Sequence, residues 1–88
     1  MREKELERIF KAFANKRRIA ILRYLKKNNT ATVGEIAEVI KLSLKATSKH
    51  LSILSSVDLV DREQKSLYMQ YSLANDISKP ISQIISML

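Results

Sequence analysis

The sequence predicts a mainly helical chain that carries one small β-hairpin, and three observations lead there. Apolar residues recur at three- and four-residue intervals from the start of the chain to Leu54, and again from Ile77 to Leu88, which is the period of helices with one buried face. Between those stretches Leu67, Met69, Tyr71 and Leu73 alternate with Tyr68, Gln70 and Ser72, the period of a half-buried strand. Lys41-Leu42-Ser43 leaves only a three-residue connection between two short helical patterns.

The first helix is expected from about Lys4 to Ala14, with Leu6, Ile9, Phe10 and Phe13 on one face. Asn15 interrupts the pattern and suits the N-cap of a second helix over Arg17 to Lys27. That helix is apolar around most of its circumference through Ile19, Ala20, Ile21, Leu22, Tyr24 and Leu25, so it belongs at the centre. Lys26 and Lys27 close it at the negative end of its dipole, and Asn28 to Ala31 reads as a polar turn. Thr32-Val33-Gly34-Glu35 has the form of a capping box for a short third helix carrying Val33, Ile36, Ala37 and Ile40.

Ser43 is the natural N-cap of the fourth helix, which places Leu44, Thr47, Leu51 and Leu54 at i, i+3, i+7 and i+10 on the side to be buried. Lys45, Ser48, Lys49 and Ser52 fall opposite. That outer set has two cations, two hydroxyls and no carboxylate, which suits phosphate oxygens and acceptors on base edges in a DNA major groove. Two short helices joined by so tight a turn read as a helix-turn-helix, with an ordinary αα-hairpin in a helical bundle as the lesser alternative. The segment after them decides against it. Leu59 to Glu63, a polar tip at Gln64-Lys65-Ser66 and the alternating Leu67 to Leu73 make a hairpin in the position of a wing, with a turn expected to exceed two residues because it lacks glycine. The chain then closes with a helix starting between Asn75 and Ser78, with Pro80 in its opening turn and Ile77, Ile81, Ile84, Ile85 and Leu88 on one face. The order is a winged helix-turn-helix, α1-α2-α3-α4-β-hairpin-α5.

Residues 1–88 form one domain by length, short enough that its core is marginal unless something supplements it. With no cysteine for disulfides, and one histidine without cysteine too little for a zinc site, oligomerisation is the expected supplement. The last helix either packs back on the first helix of its own chain or forms with it a self-complementary face; the small core and the size of the stripe favour the second, with Leu6, Ile9, Phe10, Phe13, Ile77, Ile81, Ile84, Ile85 and Leu88 the expected homodimer interface. No apolar run approaches bilayer length and the charged start is no signal sequence, so a soluble cytoplasmic protein without membrane contact is expected.

Sixteen basic against nine acidic side chains give a net charge of +7. The excess is concentrated: residues 11–30 and 43–57 contain no acid at all. Such a balance attracts polyanions, among which charge alone does not choose between nucleic acid, an acidic membrane and an acidic protein. An enzyme is not expected, since the chain has no paired catalytic acid and base, no cysteine and no glycine-rich phosphate loop. No metal or cofactor is expected.

Phe10 to Leu22, Thr32 to Ala37, Ser43 to Leu54 with its Ser48-Lys49-His50-Leu51, and Leu59-Val60 with Leu67 to Leu73 together resemble the ArsR-type winged helix-turn-helix regulators over nearly the whole chain. The resemblance implies a dimer on a palindromic operator of double-stranded DNA, probing successive major grooves with the fourth helices and flanking backbone or minor groove with the wings. Metal sensing is not carried over: the third helix has no cysteine, and Asp76 is the only acid near the last. Lys41 and Asp58 stand where relatives often have glycine, and a positive φ at either costs about 1 kcal/mol against glycine.

The expected DNA contacts are Lys45, Ser48 and Lys49 first, with Ser52 and Thr47 from the same helix. His50 either donates to a phosphate or packs at the helix edge. Arg62, Lys65 and Tyr68 on the wing and Lys16 and Arg17 at the second helix are placed for phosphates, with Arg18 an anchor through a carboxylate. Thr32 is a cap whose helix start can also take a phosphate. The function expected is transcriptional regulation, with repression the expected sense and no effector named by the sequence. The alternative from another class is a protein-interaction module docking through its apolar terminal helices.

Overall fold

The structure is a computed structural model that describes residues 1–88. Its order is α1 (Glu3–Phe13), α2 (Lys16–Asn28), β1 (Thr30–Thr32), α3 (Val33–Ile40), α4 (Leu44–Ser56), β2 (Val60–Lys65), β3 (Tyr68–Leu73) and α5 (Lys79–Ser86). The five helices and the hairpin stand where the sequence puts them, and the winged helix-turn-helix is the architecture observed.

Local chemistry starts three of the helices. Asn15 Oδ1 accepts from the backbone N–H of Arg17 and Arg18 at 3.0 and 3.1 Å. Thr32 Oγ1 accepts from Glu35 N–H at 3.2 Å while Glu35 Oε1 accepts from Thr32 N–H at 2.8 Å, a closed capping box. Ser43 Oγ accepts from Ala46 N–H at 3.1 Å. Lys41 lies in the left-handed region at φ 58°, which lets the chain leave α3 and enter α4 within three residues, and Asp58 at φ 59° does the same between α4 and β2.

α2 is the centre of the core, with Ile21, Leu22 and Leu25 at 0–1 % exposure. Ile36 and Ile40 of α3, Leu51 and Leu54 of α4, Leu59, Val60 and Ile81 and Ile85 of α5 close around it. α5 begins at Lys79, one residue later than the latest expected start, with Ser78 at the N-cap position and Pro80 in its first turn where no intrahelical N–H is needed.

Three sequence expectations are corrected. The polar turn before Thr32 contains a strand: β1 pairs antiparallel with β3, Ala31 opposite Tyr71, giving a three-stranded sheet in the order β1-β3-β2 with Ala31 buried. The wing turn has two residues, Ser66 and Leu67, because Lys65 pairs directly with Tyr68 and Ser66 takes φ 57° without being glycine. Leu67 is therefore 86 % exposed in the turn instead of half-buried in the strand, the hairpin having run past anything it could pack on. No helix is long and apolar enough to cross a membrane.

Candidate nucleic-acid interface

α4 presents Lys45, Ser48, Lys49 and Ser52 to solvent, opposite the buried Thr47, Leu51 and Leu54. The two ion pairs of the chain are Glu7–Lys11 at 4.0 Å and Glu63–Lys65 at 3.4 Å. Lys45, Lys49, Lys16 and Arg62 thus have no carboxylate partner, and their charges are open to an incoming anion. Lys65 shares its charge with Glu63 at the wing tip.

A cleft of about 470 Å³ separates α4 from the wing; Ser48, Ser52, Ser55 and Ser56 line one wall, Arg62 and Tyr71 the other. Ser55, Ser56 and Tyr71 were not among the expected site residues. Their membership depends on the approach of β2 and β3 to the last turn of α4, which no local spacing reveals.

His50 sits at the edge of this surface, half-buried, with Nδ1 3.2 Å from an Arg18 guanidinium nitrogen. A guanidinium only donates, so Nδ1 accepts and the ring proton belongs on Nε2. Burial lowers the His50 pKa below its ordinary value, and the charges of Arg18, Arg17 and Lys49 lower it further. The ring is neutral near pH 7 and has an Nε2–H to donate. Arg18 anchors the fold as expected, but through main-chain oxygens and not a carboxylate: Nε donates to Ala12 O at 2.8 Å and Nη2 to Lys11 O at 3.2 Å. Arg17 is half-buried and donates to Ile40 O at the end of α3, so one of its two terminal nitrogens is already used. Thr32 Oγ1 is engaged as an acceptor in the capping box.

Two sets of expected residues are corrected by burial. Thr47 is fully buried, 0 % exposed, so it does not reach DNA; it sits in the middle of the stripe that faces α2 and α3. In the expected dimer face Ile81 and Ile85, at 3 and 4 % exposure, are committed to the core of their own chain, because α5 folds back on α2. Ile9, Phe13, Ile77, Ile84 and Leu88 are partly covered by the same core. Phe10 is 49 % exposed and lines a shallow apolar groove with Leu6 and Ala14, flanked by Glu3, Glu7 and Lys11. Leu44 departs the other way: expected inside, it is 58 % exposed. No group of three or more histidine, cysteine or acidic side chains is gathered as a metal would require.

The family model described as a helix-turn-helix domain matches residues 13–63. The transcriptional repressor SdpR of Bacillus subtilis is 34 % identical over 77 % of this chain and 74 % of its own. An uncharacterized HTH-type transcriptional regulator of Methanocaldococcus jannaschii is 31 % identical over 91 % of this chain and 90 % of its own. Among solved structures, HlyU from Vibrio cholerae superposes with a TM-score of 0.82 at 30 % identity, covering 99 % of this chain and 92 % of that one. The homodimeric winged helix-turn-helix DNA-binding domain of Mb0332 from Mycobacterium bovis, a possible ArsR-family regulator, gives a TM-score of 0.82 at 26 % identity over 96 % of this chain and 74 % of that one. A capped α3, a tight left-handed turn, an outward-facing basic α4 and a wing beside it, with these relatives, place the chain among the ArsR-type winged helix-turn-helix transcriptional regulators.

Proposed function

We propose that the chain is a homodimeric regulator that binds a palindromic operator in double-stranded DNA, with α4 in the major groove and the wing over the flanking backbone. The observation that carries this is the outer face of α4: two unpaired lysines and two exposed hydroxyls, no acid along the helix, and a rigid mounting on capped ends. Lys45, Ser48, Lys49 and Ser52 meet base edges and the nearest phosphates. His50 Nε2–H, Lys16, Arg62, Lys65 and Tyr68 take surrounding phosphates, with the free nitrogens of Arg17 and the α3 start at Thr32 in supporting positions. In a dimer the two half-sites fall about one helical turn, roughly 34 Å, apart.

The dimer forms through the groove at Leu6 and Phe10, continued by the partly covered Ile9, Phe13, Ile84 and Leu88; Mb0332, named as a homodimeric domain, supports a paired assembly. Repression is the proposed sense of regulation, because occupying an operator is enough to block a promoter and needs no further contact. SdpR is named a repressor and HlyU an activator, so the sign is tested directly, by a reporter whose output rises when the regulator is removed. Such a protein works beside the chromosome, in the cytoplasm.

Selecting bound duplexes from a random pool and sizing the complex tests site preference, palindromy and stoichiometry together. Lys49→Ala weakens binding to the selected site more than to random DNA; equal loss on both makes Lys49 a phosphate contact. Absence of salt-dependent affinity at low ionic strength removes the DNA reading. Phe10→Asp gives a folded monomer with much reduced operator affinity, and an intact dimer in that variant places the interface elsewhere.

A further inference from the structure

We infer that Leu44 is a specificity-determining residue that reads the 5-methyl group of a thymine in each half-site, an inference that rests on the proposed placement of α4 in the major groove. Sequence periodicity extends the buried stripe of α4 back to Leu44, but the structure does not. Leu42, from the turn before the helix, packs on the core, and Leu44 is left 58 % exposed in the first helical turn. It is the only large apolar side chain that α4 exposes to this degree.

Its neighbours give that exposure a meaning. Leu44 and Ser48 are four residues apart and Lys45 and Ser48 three, so the three side chains adjoin at the N-terminal end of the outer face. That is the end of a recognition helix whose residues reach base edges. Lys45 has no carboxylate partner, and Ser48 offers a hydroxyl that donates or accepts. An isobutyl group beside a hydroxyl, with a free cation on its far side, is poorly suited to water, and it cannot hydrogen-bond to a base. Of the four bases only thymine presents an apolar group in the major groove. The chemistry of the side chain therefore selects its partner: Leu44 covers a thymine methyl, while Lys45 and Ser48 engage acceptors beside it.

The test uses the whole chain and the duplex of highest affinity recovered from a random pool. Each thymine is replaced in turn by deoxyuridine, which removes the methyl and leaves every hydrogen-bonding group in place. For the wild-type protein, one thymine position per half-site weakens binding about fourfold on losing its methyl, the value of one buried methyl-sized group. Leu44→Ala changes both protomers of the dimer, so it weakens binding to the thymine duplex by the square of that factor, roughly sixteenfold, as deoxyuridine in both half-sites does, and it is indifferent to deoxyuridine at either position. The salt dependence of binding is the same for the variant as for wild type, since no phosphate contact is lost. The inference is overturned if the selected half-site lacks thymine, if no thymine methyl matters to the wild type, or if Leu44→Ala keeps the full deoxyuridine effect. The wild-type arm requires no variant to fold. A wild-type protein with no salt-dependent affinity for any duplex overturns the DNA reading and this inference together, whereas an operator bound tightly and insensitive to its methyls overturns only the role of Leu44.

Discussion

Thr47→Val stabilises the domain and leaves operator affinity unchanged. Thr47 has no solvent exposure and its Oγ1 is the one buried side-chain polar atom without a hydrogen-bond partner, although its backbone N–H is bonded to Ser43 O at 3.0 Å. A hydroxyl buried without a partner costs about 1–3 kcal/mol. Valine replaces that hydroxyl by a methyl of nearly the same shape, keeps the β-branch and differs little in helix propensity, so neither a cavity nor a helix penalty opposes the gain. The expected stabilisation is about 1–2 kcal/mol, which in a domain of this size raises the Tm by about 4–8 °C for each kcal/mol. Urea unfolding at fixed protomer concentration, with an unchanged m-value, measures it. A loss of stability at constant m shows that the hydroxyl has a partner. A fall in DNA affinity with the fold intact shows that Thr47 faces the duplex, and the orientation of α4 argued above is then wrong.

Two further predictions concern features with a known sign. Lys41→Gly and Asp58→Gly each relieve a left-handed residue at φ 58° and 59° and stabilise the domain by up to about 1 kcal/mol, read as a shift in unfolding midpoint; a destabilised variant at either position shows that unfolded-chain entropy outweighs the relief. For His50 the folded pKa lies below its ordinary 6.5, so the fold favours the neutral ring. Its contribution is complete above pH 6.5 and is lost as the pH falls from there through the folded pKa. Unfolding measured along that descent has a slope that His50→Gln removes, and an unchanged slope in the variant assigns the acid sensitivity to other groups.

What the sequence discloses about this fold follows the range of the interactions. The caps at Asn15, Thr32 and Ser43 are closed by groups two or three residues away, and each is visible in a four-residue window. Lys41 and Asp58 at positive φ are legible only through the resemblance, since lysine does not favour a left-handed conformation and aspartate, which visits it more often, is as common elsewhere. β1 escaped because three residues are too few to show a period, and what makes them a strand is pairing with Gln70 to Ser72, about forty residues later. The division of the candidate site was obscured for the same reason. Periodicity orders the residues of α4 around its axis, but whether Leu44 is inside depends on Leu42 taking the place on the core. The apolar face of α5 is likewise legible as a face, but the commitment of Ile81 and Ile85 to their own chain is not, because a stripe states that it will be covered and not by which chain.

The distribution of the basic residues explains why net charge could indicate a polyanion but not locate its binding surface. Several cations serve the fold by donating to carbonyls near helix C-termini, groups that have no partner within their own helix. Arg18 reaches Lys11 O and Ala12 O near the end of α1, Arg17 reaches Ile40 O at the end of α3, and Arg8 reaches Ser56 O at the end of α4 at 3.2 Å. Arg23 and Lys26 reach Leu88 O and Ser86 O at the end of α5, at 3.2 and 2.8 Å. Each places a positive charge at the negative end of a helix dipole as well as satisfying a carbonyl. The acid-free block over residues 11–30 is in large part this internal scaffolding, whereas Lys45 and Lys49 in the acid-free block over 43–57 have neither a carboxylate nor a carbonyl partner. The two blocks look alike as sequence and differ in purpose. The first holds helices in place, and the second is left open on a helix that the first has helped to fix: Arg17 ties α2 to the helix preceding α4 and Arg18 supports the His50 ring on its flank, while Arg8, which precedes the block, ties α1 to the last turn of α4.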